Sequence, residues 1–256
     1  MESGWVMIKK TALITGAGSG IGRETAIYFA QKGYTVFAMG RSQPRLNETA
    51  ALIGKAGRIT PLCADATQIV ALSDALRSLS RVDVLVVNAG ICKQSAVHAP
   101  EADAVWHQVI NTNLTGSWNT VHVTNDLLQK GGKVVLVSSG LGKLGRAEYT
   151  AYAASKHGLP GMMKCLALEW AHRKINVNAV CPGWVDTRMA QSDLQKSAVE
   201  NHTSLNAERI RPTKSIPIGR FVTAKEVAAL TGWLCSNNAC AITGQAFNIS
   251  GGEFGL

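Results

Sequence analysis

The sequence predicts an α/β protein in which one Rossmann-type, doubly wound parallel sheet forms a single domain that carries a small lid. Three observations support this fold class. Short apolar, β-branched runs alternate with segments of helical periodicity, a glycine-rich turn follows the first run, and Gly, Asn, Ser or Pro follows most of the later ones. At 256 residues, of which 46% are hydrophobic and 17% charged, the chain can bury a large core as one domain.

The charge balance limits the kinds of partner. The formal net charge is +9, which suits nucleic acid, a membrane surface or an anionic small molecule. Lys and Arg are spread along the chain and do not cluster with aromatic residues on one element, which favours a small anionic ligand over nucleic acid. No apolar run approaches the ~20 residues of a membrane-spanning helix, and the N-terminus has no extended apolar region or cleavage site. We therefore expect a soluble, cytoplasmic protein with no nucleic-acid or membrane partner.

The cysteines and histidines show no metal-binding spacing. Six cysteines lie far apart, mostly inside apolar runs, and none belongs to a Cys-x-x-Cys pair. We expect reduced, buried thiols, six structural or exposed histidines, and no metal site. The cysteines are at positions 63, 92, 165, 181, 235 and 240.

The first predicted strand and helix enclose the glycine-rich turn. Residues 11–15 form the strand, Gly16-Ala-Gly-Ser-Gly-Ile-Gly22 forms the turn, and residues 23–32 form a helix that ends at Gly33. Glycines let the backbone approach a pyrophosphate, and the helix N-terminus faces its charge, so this order predicts a dinucleotide site. A flexible loop, the alternative, does not explain ordered elements on both sides. The residues expected to contact the dinucleotide are Gly16, Ser19, Gly20 and Ile21.

The end of the second predicted strand, residues 34–39, indicates which dinucleotide is bound. NAD-preferring sites of this fold carry an acidic residue there, which bonds the adenosine ribose. This chain has Gly40 followed by Arg41, and an Arg can pair with a 2′-phosphate, which favours NADP(H). A solvated Arg at a strand end is the alternative, so NAD(H) stays open.

The alternation of strands and helices then continues to the end of the chain. Helices are predicted near residues 44–56, 67–79 and 103–128, then from the Tyr152 region to about 172, and over 223–235. Strands are predicted at residues 59–63, 82–87, 133–137, 175–180 and 245–249. The polar segment 184–218 interrupts this pattern, and we interpret it as a lid, with a surface excursion as the alternative.

One pair of residues in the long C-terminal half predicts acid/base chemistry. Tyr152 and Lys156 are four apart, so a helix places them on one face. A nearby cation favours the phenolate and lowers the pKa of a Tyr, which makes the phenol a candidate general acid/base. Taken alone, such a pair also occurs by chance on many helices.

Taken together, these motifs resemble the short-chain dehydrogenase/reductase family over nearly the whole chain. The residues that carry the resemblance are Thr15-Gly-Ala-Gly-Ser-Gly20-Ile-Gly22, Asn88-Ala-Gly90, Asn113, Ser139, Tyr152-x-x-x-Lys156 and Pro182-Gly183 through Thr187. The resemblance implies one domain over residues 1–256, with a cofactor-binding half at about 8–140 and a catalytic helix with lid at about 141–256. It also implies a homotetramer or homodimer.

The resemblance further implies a role for each matching residue. Tyr152 would exchange a proton with the substrate oxygen, Ser139 would hydrogen-bond that oxygen, and Lys156 would bind the nicotinamide ribose and lower the Tyr pKa. Asn113 would hold a water of a proton relay. The remaining cofactor contacts would be Asp65 and Ala66 at the adenine, Asn88, Ala89 and Gly90 at the ribose, and Pro182, Gly183, Val185 and Thr187 at the carboxamide.

Two positions depart from the family pattern. Val87 stands where the family often has a second Asn, which changes a local hydrogen bond, and Ser19 stands where NADP enzymes often have a basic residue. The C-terminal segments Pro217–Val222 and Ala241–Gly252 are similar to the branch of ketoreductases and 3-oxoacyl-thioester reductases, although sugar and alcohol dehydrogenases share them.

The predicted function is hydride transfer between a nicotinamide cofactor, NADP(H) favoured, and a small carbonyl or alcohol substrate. The favoured reaction converts a ketone to a secondary alcohol. The alternatives are a 3-hydroxyacyl-thioester dehydrogenase, an NAD-dependent polyol or cyclic-alcohol dehydrogenase, and a non-catalytic cofactor-binding sensor. The physiological substrate, the direction and the stereochemistry do not follow from the sequence.

Overall fold

A computed structural model describes residues 9–54 and 57–254. Its centre is a parallel sheet of seven strands, next to a parallel ribbon of two. The strands are β1 (Thr11–Thr15), β2 (Thr35–Gly40), β3 (Arg58–Cys63), β4 (Val82–Val87), β5 (Leu128–Val137), β6 (Asn176–Pro182), β7 (Val185–Asp186), β8 (Val222–Thr223) and β9 (Ala246–Ile249). The helices are α1 (Gly20–Gln31), α2 (Gln43–Ala51), α3 (Ile69–Leu76), α4 (Ala102–Ile110), α5 (Gly116–Thr124), α6 (Thr150–Glu169), α7 (Arg188–Glu200), α8 (Leu205–Ser215) and α9 (Ala224–Leu234).

The strand order locates the place where a ligand would bind. The large sheet runs β3-β2-β1-β4-β5-β6-β9, so the chain passes from β3 back across to β4 on the other side of β1. Strand order reverses between β1 and β4, and parallel α/β sheets bind ligands at the carboxyl ends of the strands beside such a reversal. This topology confirms the predicted doubly wound parallel sheet.

Two apolar layers cover the two faces of the sheet. Side chains alternate along a strand, so Leu13 of β1 joins one core cluster while its neighbour Ile14 joins the other. Helices α5 and α6 contribute to the first cluster, through residues such as Val121 and Met163. Helices α1 and α9 contribute to the second, through Phe29 among others. Because both faces are buried, the central strands are apolar runs without polar alternation.

The predicted helix over 103–128 is interrupted. A π-helical turn at Asn111–Thr115 separates α4 from α5, and α5 ends at Thr124. Strand β5 begins earlier than predicted because Leu128 pairs with Val82 before a register shift. The polar stretch between that pairing and the apolar run hid the start of the strand from the sequence pattern. π-Helical turns are frequent at functional sites, and this one contains Asn113.

The lid segment, residues 184–218, contains two helices. Helix α7 starts after Thr187, whose hydroxyl accepts a hydrogen bond from the Ala190 N–H as its N-cap, and Ser204 caps α8 in the same way through the Ala207 N–H. Together with Phe221, which follows it, the segment forms a small apolar cluster separate from the two sheet clusters. The buried members of this cluster are Ala190, Leu194, Ile216 and Phe221, with Trp184 packed against them.

Several smaller expectations need correction or fall outside the described residues. Cys181 and Cys235 are buried as predicted, but Cys63, Cys165 and Cys240 are exposed. Cys63 ends an edge strand and Cys165 lies on the solvent side of α6, so apolar sequence neighbours did not bury them. The predicted helix end near residue 56, the domain start near residue 8 and the N-terminal region lie outside the described residues.

Two further features concern membranes and metal ions. Among the described residues, no helix combines the length and the apolar character that crossing a membrane requires. In the same residues, no group of three or more His, Cys, Asp or Glu side chains is arranged to hold a metal ion.

Candidate functional site

The glycine turn is shaped by close backbone packing at the carboxyl end of β1. Gly16 has φ +66°, a conformation that favours glycine, and a Cβ there would lie 2.8 Å from the Asn88 amide nitrogen. Gly22 has less room still, because a Cβ there would lie 2.3 Å from the Gly16 carbonyl oxygen and 2.6 Å from the same Asn88 nitrogen. The first turn of α1 therefore packs directly on the chain that leads into it, as in dinucleotide-binding turns.

The N-terminus of α1 is open for an anion. Ser19 is the N-cap residue, but its side chain makes no capping hydrogen bond to the first-turn N–H groups. Uncapped N–H groups at a helix N-terminus attract phosphate. Arg23 stabilises the turn from within the helix, since its guanidinium donates to the Gly18 carbonyl at 2.7 Å and to the Thr49 hydroxyl at 3.1 Å. The predicted contact residues Gly20 and Ile21 begin this helix.

The end of β4 is joined to the glycine turn by hydrogen bonds. The Thr15 hydroxyl accepts from the N–H groups of Asn88 and Ala89, both at 2.9 Å, and the Asn88 amide donates to the Thr15 carbonyl at 2.9 Å. Gly90 follows, and a Cβ there would lie 3.1 Å from the Asn113 side-chain oxygen and 3.5 Å from the Lys156 nitrogen. The predicted ribose contacts thus form one edge with the predicted catalytic residues.

The predicted adenine end lies at the carboxyl ends of β2 and β3. Arg41 follows β2 and is exposed, and no carboxylate ends that strand. Asp65 follows β3, where its carboxylate accepts hydrogen bonds from the N–H and the hydroxyl of Thr67, each at 2.9 Å. The Ala66 carbonyl accepts from the Asn119 amide at 3.0 Å, which ties this loop to α5. Arg41 and Asp65 are therefore on neighbouring strand ends, as the sequence predicted.

Helix α6 carries Tyr152 and Lys156 on one face. Lys156 is buried, and its ammonium donates to the Val137 carbonyl at 2.9 Å, which anchors it to the end of β5. The Ser138 hydroxyl donates to the Lys156 carbonyl at 2.8 Å and joins the same strand end to the helix. The Lys156 nitrogen lies 5.7 Å from the centre of the partly buried Tyr152 ring. The predicted pair is therefore held rigidly beside β5.

The ionisation of this pair differs from the expectation. Burial, followed by the neighbouring Cys92 and Asp193, raises the pKa of Tyr152 above its ordinary value, while the Ser139 hydroxyl opposes that rise. Burial lowers the pKa of Lys156 to about 8. Removal of the phenolate from water is the largest cause of this rise in the pKa of Tyr152, while the Lys156 ammonium donates to the Val137 carbonyl. The expected near-neutral phenol is thus replaced by a phenol that stays protonated at neutral pH.

Asn113 uses its side chain within the protein. Its side-chain oxygen accepts from the Ile91 N–H at 2.8 Å, and its amide nitrogen donates to the Ile91 carbonyl at 2.9 Å and to the Ser155 hydroxyl at 3.0 Å. The side chain is fully buried. Asn113 therefore binds the loop after β4 to α6, and its amide is committed to these contacts.

Ser139 and Tyr152 face a cavity of about 640 Å³ that the lid segment covers. The Ser139 oxygen accepts from the Leu141 N–H at 3.1 Å, which leaves the hydroxyl hydrogen free to be donated. Four other predicted residues, Pro182, Gly183, Val185 and Thr187, line the same cavity together with Ile21. Gly183 has little space for a side chain, since a Cβ would lie 3.1 Å from the Ser250 Cα.

Sequence reasoning did not single out the other polar residues of this cavity, among them Cys92, Arg146, Tyr149 and Asp193. The Arg146 guanidinium lies between two rings, 5.2 Å from the centre of Tyr149 and 5.5 Å from that of Trp184. These residues come from separate loops and helices, so no spacing along the chain pointed to them.

Comparisons with known proteins agree with this geometry. The family model described as short chain dehydrogenase matches residues 10–198. A protein of Streptomyces violaceoruber, named as ketoacyl reductase 1 of the granaticin polyketide synthase, is 39% identical over 95% of this chain and 93% of its own length. The 3-oxoacyl-(acyl-carrier-protein) reductase of Thermotoga maritima is 39% identical over 95% of this chain and 97% of its own. A solved structure of a variant of actinorhodin polyketide ketoreductase with NADPH superimposes with a TM-score of 0.88 at 35% identity, covering 96% of this chain and 97% of that chain.

Proposed function

Because the chain belongs to the short-chain dehydrogenase/reductase family and is an NAD(P)-dependent oxidoreductase, we propose that it reduces a ketone to a secondary alcohol with NADPH. The observation that carries this proposal is that Ser139 and Tyr152 line one cavity while Lys156 is anchored directly behind them. The relatives named as ketoacyl and 3-oxoacyl reductases support the direction and the substrate class.

The residues at the sheet edge fit a nicotinamide dinucleotide. The turn at Gly16 and Gly22 leaves no space for side chains, and the first turn of α1 offers N–H groups that Ser19 does not cap. When bound, the cofactor supplies the hydride. We assign Gly16, Ser19, Gly20 and Ile21 to its pyrophosphate, Asp65 and Ala66 to its adenine, Asn88, Ala89, Gly90, Tyr152 and Lys156 to its nicotinamide ribose region, and Pro182, Gly183, Val185 and Thr187 to its carboxamide.

Tyr152 acts as the proton donor in this proposal. A phenol is protonated at neutral pH, and this is the form that reduction of a carbonyl requires. As the carbonyl carbon gains hydride, its oxygen takes the Tyr152 proton, and the hydroxyl of Ser139 donates a hydrogen bond to the same oxygen. Lys156 keeps a positive charge next to the phenolate that forms. Asn113 positions the loop after β4 through Ile91, and the proposal retains its role in a water relay.

Replacement of Tyr152 by Phe tests the catalytic assignment. It removes the transferable proton and retains the ring, so kcat/KM for ketone reduction should fall by about 1000-fold, within the usual range for a general acid. The binding of NADPH, measured by fluorescence titration, should stay within a factor of about two. Tyr28→Phe is the matched control, because Tyr28 packs against Gly232 of α9, outside the cavity. Substantial turnover by Tyr152→Phe would refute the assignment, and a non-catalytic sensor would show no turnover in the wild type.

Arg41 carries the proposed preference for NADP(H). Its exposed guanidinium follows β2, where an NAD-specific site would have a carboxylate, so a 2′-phosphate can pair with it. Arg41→Ala should weaken NADPH binding by about 10-fold and leave NADH binding unchanged. Arg77→Ala, at an exposed arginine that pairs with Asp74 on α3, is the control. A wild type that binds NADH more tightly than NADPH would contradict this assignment and favour the NAD-dependent alcohol dehydrogenase.

The second candidate substrate class is a 3-oxoacyl thioester. The Thermotoga maritima relative is named for this reaction, and the C-terminal segments resemble the same branch. A panel of simple ketones, 3-oxoacyl thioesters, polyols and cyclic alcohols, followed by NADPH or NADH absorbance, separates the candidates.

A homodimer or homotetramer in the cytoplasm is the assembly that we propose for the active protein. Three large apolar side chains remain exposed on α4, α5 and α6, namely Trp106, Trp118 and Leu168, and contact with another copy would cover them. Size-exclusion chromatography with light scattering tests this state.

A further inference from the structure

Asp193 occupies a distinctive position in the cavity. It lies on α7 of the lid segment, on the same side as the buried residues Ala190 and Leu194. The cavity that it lines also contains Ser139 and Tyr152. Its carboxylate is close enough to add to the rise that burial causes in the pKa of Tyr152. Asp193 therefore approaches the proposed reaction site from the lid.

The carboxylate of Asp193 is partly buried, and only a weak donor reaches it. Burial raises its pKa, and the neighbouring Cys92 thiol on the loop after β4 opposes that rise, followed by the charges of Lys196 and Arg146. Thiols are weak hydrogen-bond donors. Among the described residues, no Lys or Arg nitrogen lies within 4.0 Å of the Asp193 carboxylate. Withdrawing a carboxylate from water is costly unless strong donors replace the water, so this group is suited to a donor from a ligand.

Several other polar groups of the cavity are already in contact with neighbouring protein groups. The Tyr149 hydroxyl accepts from the Gln94 amide at 2.6 Å, and the Arg146 guanidinium stacks between aromatic rings. The Trp184 backbone opposes the rise that burial causes in the pKa of Glu253. At the far end, the Glu208 carboxylate accepts from the Thr203 hydroxyl at 2.8 Å. Unlike the carboxylate of Glu208, the carboxylate of Asp193 has no strong donor in the part of the chain that the structure describes.

We propose that Asp193 accepts a hydrogen bond from a hydroxyl group of the substrate, so that the enzyme selects hydroxylated ketones over ketones of equal size that carry a methyl group instead. This inference rests on the proposed function and adds the substrate class. Apolar side chains of the same cavity, among them Leu141, Leu144 and Met189, would surround the carbon skeleton. A neutral hydroxyl fits better than an ammonium group, because Arg146 already brings a positive charge into the cavity. It also fits better than an anion, which the carboxylate would repel.

The test compares pairs of ketones that differ only in this group. The substrates are 3- and 4-hydroxycyclohexanone and the corresponding methylcyclohexanones, assayed with NADPH. In at least one pair the wild type should show a kcat/KM about 10-fold higher for the hydroxy compound, the discrimination expected from one hydrogen bond to a charged group. Asp193→Leu, which keeps a similar shape without the acceptor, should abolish or reverse this preference. Glu200→Leu, at an exposed acidic residue of the same helix, should keep it.

The outcomes separate this inference from the proposed function. Equal kcat/KM values within every pair, or an Asp193→Leu variant that lowers both members of a pair equally, would overturn the role of Asp193 and leave ketone reduction intact. The second result would mean that the contact with Cys92 only holds the lid. Should the Leu variant not fold, Asp193→Asn should lower the preference several-fold, and an unchanged preference would refute the inference. If the wild type reduces none of these ketones, their binding to the NADPH-loaded protein is measured by calorimetry. Tighter binding of a hydroxy compound than of its methyl counterpart would support the role of Asp193, and equal binding would refute it.

Discussion

The glycine turn at residues 16–22 and the lid segment at residues 184–218 both border the proposed reaction site, but different forces hold them in place. In the turn, main-chain atoms pack within 3 Å of the places where side chains would begin, as at Gly22. In the lid, a small cluster around Leu194 and Phe221 is joined by partly exposed ionic and stacking contacts such as that of Arg209. The turn therefore tolerates almost no change, whereas the lid can vary residue by residue.

This difference separates the chemistry that the family shares from the selection of a substrate. In the proposed function, binding of a dinucleotide and transfer of a proton depend on the turn, on Ser139 and on α6, all of which attach to strand ends. The proposed selection of a substrate depends on Asp193, which belongs to a helix outside the main sheet. A rigid scaffold with variable segments above it is a common way to place different functions on one fold.

The largest effect should come from filling the space in the turn. In Gly22→Ala, the new Cβ would meet the Gly16 carbonyl at 2.3 Å, and neither backbone segment can move without breaking the contacts of Asn88. We expect a loss of about 3 kcal/mol in the free energy of unfolding, measured with urea, and loss of NADPH binding. Gly161→Ala on α6 is the control, because that position is open and helical and should gain about 1 kcal/mol. Equal stability of the two variants would contradict the tight packing of the turn.

A second prediction concerns the loss of folding stability that the burial of Lys156 causes. In the folded state its pKa is about 8, against 10.5 in the unfolded chain, so the unfolded state binds more protons between these values. Stability of the wild type should therefore rise with pH across that window. Lys156→Met should abolish ketone reduction. Its free energy of unfolding at neutral pH should nevertheless be about 2 kcal/mol higher than that of the wild type, after allowance for the lost hydrogen bond to Val137.

The comparison that checks this prediction is the pH dependence of urea unfolding. The advantage of Lys156→Met should shrink as pH rises from about 8 towards 10.5, because the wild-type lysine becomes neutral. Lys164→Met, at an exposed position of the same helix, should not change stability or activity. A destabilised Lys156→Met at neutral pH would show that the ammonium contributes more through Val137 than its burial costs.

The smallest effect is expected in the lid. Arg209 donates two hydrogen bonds to Asp186, at 2.9 and 3.2 Å, and lies 4.7 Å from the Phe221 ring centre. About 40% of each charged side chain is exposed, so solvent screens the pair. Arg209→Ala should lower the free energy of unfolding by less than about 1 kcal/mol, with a smaller loss at high salt. A loss of several kcal/mol, or one that salt does not change, would show that the lid is held as firmly as the turn.

Much of the fold and of the shared site could be predicted from the sequence. The boundaries of β1 and β4 were correct, because continuous apolar runs define buried parallel strands. The π-helical turn at Asn113 could not be predicted, since it differs from an α-helix by a single residue and leaves no periodicity of its own. The early start of β5 could not be predicted either, because the residues between Leu128 and the apolar run are polar, and only Leu128 of this stretch pairs with β4.

By itself the sequence determined the doubly wound sheet, the dinucleotide turn and the presence of Ser139, Tyr152 and Lys156, because these depend on local periodicity and on residues at set spacings. Only the tertiary structure decided the ionisation of Tyr152 and the environment of Asp193. Both depend on burial and on neighbours such as Cys92, which lies 101 positions before Asp193 in the chain. Electrostatic energies depend on the distances between groups and on their exposure to solvent, and the spacing of residues along the chain gives neither quantity.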